Sequence, residues 1–433
     1  MKVEIADKAA ALRILVLGAT GHLGRAITRS LLERGHILHG LVRGPSTVTA
    51  ASPGVTWHFA DISSLKQTSD WMPLLHGCDV VINAAGAVQD GSRDRLADVH
   101  VNAIRALAEA MPASGLLVHI SAPGVSPSAS TSFYRSKAEG DAAIMASGCR
   151  YVIMRPAVVI SPEAYGGSAL LRALAVMPLA IPAIHPDSQM QTVALDDVVA
   201  YASRAAEGEF PSGTDLVLAE TSSHSLRQVL LQFRQWFGLA PVPVITIPSW
   251  LARSISKCAD LAGYVGWRSP LRSTALQVTS EGVTGNPAAG CRSLAETLAA
   301  MPATVQERWF ARLYLLKAAG ILMLALFWCA SGVIGFLERD AAASVLTEAG
   351  FHVNTANAAV ITGALADIAL GLMVVVRRLM PAALGGMIAL SAAYVLAATF
   401  FLPGLWLDPL GPLVKTLPAA MLAFVMLAIV PER

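Results

Sequence analysis

Seven residues, Gly18-Ala19-Thr20-Gly21-His22-Leu23-Gly24, stand between a compact β-forming run at 13–17 and a helical stretch at 25–34. Glycines at this spacing allow a tight turn and let a pyrophosphate approach backbone amides. The helix start behind them offers unpaired N–H groups and the favourable end of its dipole. Gly18 serves the turn, Gly21 the phosphate approach and Gly24 the packing of helix on strand, with Thr20, His22 and Leu23 completing the loop. The chemistry implied is dinucleotide binding. A second apolar run, 37–42, ends at Arg43. An acid there favours the ribose hydroxyls of NAD, whereas a cation faces the 2′-phosphate of NADP. Arg43 therefore points to NADP, with NAD as the alternative if the arginine is only a solvated loop residue. Asp61, closing a strand at 55–60, is the candidate for the adenine amino group. Ala84, Ala85 and Gly86, after a strand at 79–83, are small enough to let a cofactor pass close to the chain.

The elements that position these residues alternate. A helix at 93–111 and strands at 116–121 and 151–154 continue the series, which argues an α/β Rossmann-like doubly wound parallel sheet. In such sheets ligands sit at the carboxyl edge of the strands. A later strand at 190–195 runs into Asp196-Asp197, where an aspartate is expected to cap the next helix by accepting an amide hydrogen bond. An amphipathic helix follows at 225–237, then a proline-rich stretch at 240–248 and an apolar run at 255–265. Residues 276–301 read as a linker ending in a modest helix.

Over residues 12–230 the chain resembles the short-chain dehydrogenase/reductase superfamily, in its extended or atypical branch. That branch includes nucleoside-sugar epimerase-like proteins and the accessory NADPH-binding subunit of respiratory complex I. The resemblance rests on the loop at 18–24, Asp61, the Asn83-Ala84-Ala85-Gly86 segment, Asn102, Ser121, Lys137 in Ser136-Lys137-Ala138-Glu139, and Arg155-Pro156. It implies that Ser121 orients a carbonyl, that Lys137 holds the ribose and lowers the pKa of a phenol, and that Asn102 supports the site. It also implies a tyrosine four residues before the lysine, and here the chain departs: that position is Phe133, and the nearest phenol is Tyr134. One residue turns a side chain by about 100° around a helix. Tyr134 is thus the proton donor if the helix starts irregularly; otherwise the site binds cofactor without the usual acid. Glu139 reads as a surface charge. The resemblance also makes 164–184, rich in glycine and alanine and then in proline, the substrate mouth, and its few polar residues suggest an apolar ligand.

A mean hydropathy of +0.55 with 14% charged residues departs from the roughly 25% charge of soluble domains. The net charge of +2 comes with no basic stripe, so nucleic acid is not an expected partner. Cys78, Cys149, Cys258, Cys291 and Cys329 are odd in number and widely spaced, which suits a reduced compartment and argues against a metal site. The first residues read as a strand running into a nucleotide loop, and not as a signal peptide.

Four apolar segments, at 313–337, 353–376, 379–402 and 410–430, are long enough to cross about 30 Å of hydrocarbon. Arg308, Arg312 and Lys317 stand at the start of the first, Arg377-Arg378 between the second and third, and Arg433 after the last. The positive-inside rule places these in the cytoplasm, together with the nucleotide-binding half, and leaves the acidic loop at 338–348 outside. The expected location is the inner or cytoplasmic membrane. Asp367 and Lys415 are ionisable groups within spans, where they mark function, a structural polar contact, or, for Lys415, snorkelling to the interface. Residues 312–433 resemble the DoxX-like family of four-helix membrane proteins. The match is carried by Leu405-Trp406-Leu407-Asp408-Pro409-Leu410-Gly411-Pro412, by Lys415, Leu417 and Pro418, and by Gly363, Asp367 and Gly371. That resemblance implies a respiratory or quinone-linked membrane.

The expected organisation is a nucleotide-binding domain at 1–240, a substrate or linker region at 241–311 and an all-α four-helix transmembrane domain at 312–433. The expected function is a membrane-tethered NAD(P)-dependent oxidoreductase acting on an apolar carbonyl, alcohol or quinone, with Tyr134, Lys137 and Ser121 as the reacting group that the resemblance implies. The alternative is a catalytically weak NAD(P)-binding sensor or assembly module. Expected partners are a lipid-soluble small molecule, the bilayer, and a membrane protein or a second copy of the chain.

Overall fold

The computed structural model describes residues 11–45, 53–91, 95–267, 269–287, 289–409 and 411–430. Residues 1–10, the first two of the helix expected at 93–111, Leu410 and Arg433 lie outside the described residues. The chain divides into two compact units, residues 1–260 with 269–308, and residues 261–268 with 309–433.

The first unit is built on eight strands: β1 (Arg13–Leu17), β2 (Ile37–Val42), β3 (Val55–Phe59), β4 (Val80–Asn83), β5 (Leu116–Ile120), β6 (Arg150–Pro156), β7 (Thr214–Ala219) and the two-residue β8 (Ala289–Gly290). Their order is β8-β7-β6-β5-β4-β1-β2-β3, and every neighbouring pair is parallel. The chain runs outward from β1 to β3, then restarts at β4 on the other side. The switch point lies between β1 and β4, at the carboxyl ends that lead into Gly18 and Ala84. Alternate side chains of β1 serve opposite faces. Ile14 and Val16 pack with Ile27 and Leu31 of α1 (His22–Glu33). Leu15 and Leu17 pack with Trp71 of α2 (Thr68–Leu75) and with Ile104 and Leu107 of α3 (Ala103–Ala110). Both faces are therefore covered, as a parallel sheet requires.

Two expectations need correction. Asp196 and Asp197 do not cap the helix Leu195–Ala206, because Ala194 occupies the N-cap position. They fall two and three residues too late, and hold Arg292 instead: Asp197 accepts from its backbone N–H and its Nε, both at 2.9 Å. The stretch expected as linker from 276 is helical over Ser273–Glu281, before the expected short helix at Leu294–Ala299. The amphipathic helix is found at Leu226–Trp236, with Ser225 and Gln228 forming its capping box.

The second unit carries the apolar helices Val353–Met373, Met380–Phe401 and Pro412–Ile429 and most of Val305–Leu337. The first of these in the chain begins eight residues before the expected span, because Glu307, Arg308 and Arg312 interrupt the apolar run without breaking the helix. A short helix, Arg339–Glu348, occupies the expected outer loop. Ile321, Leu324, Trp328, Leu384, Met387 and Met426 form the interior. Gly332 lets the first two apolar helices touch, since a Cβ there would stand 2.5 Å from the Ala364 carbonyl oxygen. Between 17% and 28% of each apolar window is buried within the protein. The remaining apolar surface, including Leu322, Leu326, Leu396, Phe400 and Phe424, far exceeds the patch a soluble monomer exposes. Lys317 Nζ donates to the Ile429 carbonyl at 2.7 Å, a cation on the terminal carbonyls of the last helix. Lys415 is exposed in that helix's first turn. Trp267 donates its indole N–H to the Val375 carbonyl at 2.6 Å.

Candidate dinucleotide site

The loop after β1 is shaped by two close approaches. Gly18 adopts φ +70°, and a Cβ on it would stand 3.0 Å from the backbone of Ala85, so the loops after β1 and β4 touch. A Cβ on Gly24 would stand 2.2 Å from the Gly18 carbonyl oxygen. Gly21 N–H closes the turn on the Gly18 carbonyl at 2.8 Å. The amides of the first turn of α1 are left for a ligand, since Gly21 provides no side-chain cap. This is a cradle that side chains would fill, and it fits a pyrophosphate. Thr20 and Leu23 are half-buried in the loop. His22 stacks on Tyr165, centroids 4.9 Å apart, and pairs with Ser161 Oγ at 3.0 Å. That hydroxyl donates to the Glu163 carbonyl, so the imidazole Nε2 is the donor in the pair.

Arg43 and Asp61 come together, Nε 3.5 Å from Oδ2. Asp61 also accepts from Ser63 N–H and Oγ, at 3.0 and 2.8 Å, which starts the short helical turn Ile62–Ser64. Ala85 N–H donates to Asn83 Oδ1 at 3.1 Å, and Gly86 stands against His100. Ala87 N–H donates to His100 Nε2 at 3.1 Å, so the other nitrogen carries the proton and donates to Ser136 Oγ at 2.9 Å, which donates to the Phe133 carbonyl at 3.0 Å. Burial, then the charge of Lys137, pushes His100 down to about 3, and the ring is neutral at physiological pH. His100 lies in a π-helical turn, Asp98–Asn102, ahead of α3, an irregularity frequent at functional sites. Asn102 donates to Asp98 at 3.0 Å and supports that turn, not Ser121 or Lys137.

The helix α4 (Ser132–Ala146) starts regularly, with Thr131 Oγ1 accepting from Tyr134 N–H at 3.2 Å and the Thr131 carbonyl from Arg135 N–H at 3.1 Å. Phe133 and Lys137 therefore stand at i and i+4, and the Lys137 amine lies 5.9 Å from the Phe133 ring centroid. Lys137 Nζ donates to the Ile120 carbonyl at 3.0 Å; burial outweighs the attraction of Asp141 and lowers its pKa to about 8. Tyr134 is buried, and burial followed by the charge of Glu281 pushes its phenol up to about 12. Among the described residues no hydrogen bond joins Tyr134 to Ser121 or Lys137. Glu139 is exposed.

Ser121 belongs to a network the sequence did not suggest. Its hydroxyl donates to Asp141 Oδ2 at 2.8 Å and accepts from Arg155 Nη1 at 3.2 Å. Arg155 also reaches Asp141 at 2.7 Å and grips Asp215 through two bonds of 2.8 Å. Asn83 Nδ2 pairs with His119 Nδ1 at 3.0 Å, which turns His119 Nε2 toward Asp141 Oδ1 at 3.3 Å. Burial alone would raise the Asp141 carboxyl, but the bonds from His119 and Ser121 and the Arg155 charge hold it below its ordinary value. The available signal was spacing: Asp141 follows Lys137 by four residues and shares its helix face. Asp141→Asn removes the charge at constant size and is expected to cost about 2 kcal/mol. For a unit of this size that is a fall of about 3 °C in melting temperature, readable by scanning calorimetry; an unchanged transition would mean that the charge holds nothing together.

A model of the NAD(P)H-binding family matches residues 18–176, and one of the DoxX-like family matches residues 325–424. A sterol demethylase protein B from Methylococcus capsulatus is 26% identical over 270 residues, 57% of this chain and 80% of that protein. The structure of an epimerase from Methanothermobacter thermautotrophicus superposes with a TM-score of 0.50 at 14% identity, covering 71% of this chain and 94% of the other. WbmG of Bordetella bronchiseptica, solved with NAD and UDP, gives 0.46 at 19% identity over 64% and 94%. At these identities the structural likeness is one of fold. The chain carries an NAD(P)H-binding domain of Rossmann fold, followed by a DoxX-like region with four helices long and apolar enough to cross a membrane.

Proposed function

We propose that this protein is a membrane-tethered NADP-dependent oxidoreductase that interconverts an apolar ketone and alcohol of sterol-like size. The observation that carries the reading is the Lys137 amine, buried on the Ile120 carbonyl at the carboxyl edge of the sheet that also bears the phosphate cradle. The dinucleotide supplies the hydride when bound. Gly18, Thr20, Gly21, His22, Leu23 and Gly24 hold its pyrophosphate, Asp61 its adenine, Arg43 its 2′-phosphate, and Ala84, Ala85 and Gly86 give it passage. Lys137 holds its ribose. In the reduction direction the substrate carbon gains the hydride and its oxygen gains a proton. Lys137, poised near pH 8 with Phe133 where a phenol would otherwise stand, supplies that proton and recovers it from solvent. Ser121 and Tyr134 position neighbours in this scheme.

Several features support the substrate class. The stretch 164–184 offers few polar groups, the DoxX-like unit puts the protein in a bilayer, and the Methylococcus relative is named for sterol demethylation. The arginines at 308, 312, 377 and 378 favour a cytoplasmic nucleotide domain. We assign residues 1–240 to cofactor binding, 241–311 to the substrate side and 312–433 to the membrane. A second reading, a cofactor-occupied sensor or assembly module acting on a membrane-protein partner or a second copy, draws support from Phe133 and from the engagement of the Ser121 hydroxyl by Asp141 and Arg155.

Purification in mild detergent, mass analysis of the co-purifying nucleotide and absorbance at 340 nm test both. NADPH should co-purify and be oxidised on addition of an apolar ketone such as a cholestanone. Reduced nucleotide that persists against ketones and short-chain quinones alike would replace the enzyme reading by the second one.

A further inference from the structure

We propose that the membrane unit contains a binding site for an apolar molecule bearing a hydroxyl group, formed by Asp367, Ser331, Tyr394 and Trp328. It rests on the oxidoreductase reading only in making that alcohol the reaction's substrate or product. Asp367 is 5% exposed on the second apolar helix. Ser331 Oγ, from the first, donates to its Oδ2 at 2.9 Å, and the Tyr394 hydroxyl, from the third, donates to its Oδ1 at 2.9 Å. Gly363, one turn before Asp367, makes room for that phenol: a Cβ there would stand 2.9 Å from the Tyr394 oxygen. An ionisable side chain is costly inside hydrocarbon, and its presence marks a function.

The polar group is not sealed. Ser331 is exposed and Tyr394 is 37% exposed, so a molecule dissolved in the bilayer would meet it. A carboxyl group has about four lone-pair positions, of which the two hydroxyls use two. Three residues before Ser331, on the same helix face, Trp328 is 3% exposed and its indole N–H has no hydrogen-bond partner. Trp328 belongs to the same buried cluster as Met387, seven residues before Tyr394 and two turns along the same helix. A buried donor without an acceptor is uncommon. One acceptor and one donor are thus left open on adjoining turns. A hydroxyl answers both, giving its proton to Asp367 and receiving the Trp328 N–H. A ketone or quinone oxygen only accepts, and leaves the carboxyl side unmatched.

Saturation binding of tritiated cholestanol to the full chain, immobilised in detergent and free of dinucleotide, tests the site. We expect saturable binding, weaker by about tenfold in Asp367→Asn and by about fivefold in Trp328→Phe. Unlabelled cholestan-3-one should compete at least about tenfold less well than unlabelled cholestanol. Trp328→Phe keeps an aromatic ring in the core and removes only the donor, so it reports on the site even if the Asp367 variant does not assemble. No saturable binding, equal binding by Trp328→Phe and the parent, or equal competition by the ketone would each overturn the site. No turnover enters this measurement: cholestanol binding in a protein that never oxidises NADPH would refute the oxidoreductase and leave the site standing.

Discussion

Lys137→Met is expected to lower kcat for ketone reduction by about 10²-fold or more, the contribution of a positioned general acid. In the same assay Tyr134→Phe should leave the rate within about threefold. The regular first turn of α4 puts Phe133 one turn from the lysine and leaves the Tyr134 phenol buried with its pKa raised to about 12. A phenol so reluctant to ionise is a poor proton donor at neutral pH. The ammonium of Lys137, lowered to about 8 by burial, lies closer to the working range. Reduction needs the protonated amine, so its rate should hold below about pH 8 and fall as pH rises through that value. Alcohol oxidation, which needs the free amine, should rise over the same interval. Lys137→Arg separates binding from proton transfer: a guanidinium retains the charge that holds ribose but gives up no proton in this range. It should keep KM for the nucleotide and lose kcat. If Tyr134→Phe is instead the inactive variant, the proton comes from the phenol.

Gly24→Ala should weaken dinucleotide binding by about 10²-fold, the scale on which a displacement of about 1 Å in a positioned site costs function. A methyl at that position would stand 2.2 Å from the Gly18 carbonyl oxygen and 2.8 Å from its carbon. Both neighbours are backbone, so no side chain can swing aside; the loop itself must move away from α1. That separates the Gly21 turn from the amides at the helix start, and a pyrophosphate needs both. The check is nucleotide titration of the detergent-solubilised variant, followed by fluorescence, with circular dichroism showing that its helices remain. Affinity within tenfold of the parent would mean that the loop relaxes without losing its grip.

What the sequence revealed depended on whether the signal was local. β1 and β2 were legible to the residue, because short apolar runs are bounded by glycines and charges. The existence of the four spans was also plain, though not their ends to the residue, since little but hydrocarbon burial explains such runs. The one-residue offset of Tyr134 from the usual position could be read directly, and only the regularity of the helix start was left for the structure to settle. The network around Asp141 was not legible: Asn83, His119, Ser121 and Arg155 come from the last residues of three strands and the turn after one of them, Asp215 from near the start of a fourth, and only parallel stacking brings them together. Asp196 and Asp197 misled because acids suit both an N-cap and the first turn, and the choice hung on where the preceding strand stopped. The start of the first apolar helix at Val305 was obscured by charged residues that are good helix formers but poor membrane residents.

The bonds linking Asn83, His119, Asp141, Arg155 and Asp215 have a consequence for how this lineage can change. The groups share partners at close range, so substitutions there should be strongly epistatic, the harm of a second change depending on whether the first has already been made. Single steps leave a buried ion or imidazole without its complement, while paired replacement of Asp141 and Arg155 by apolar residues of like volume can be nearly neutral. Mutational drift in this network should therefore proceed in concerted jumps, whereas positions such as Glu139, exposed on the same helix, wander freely.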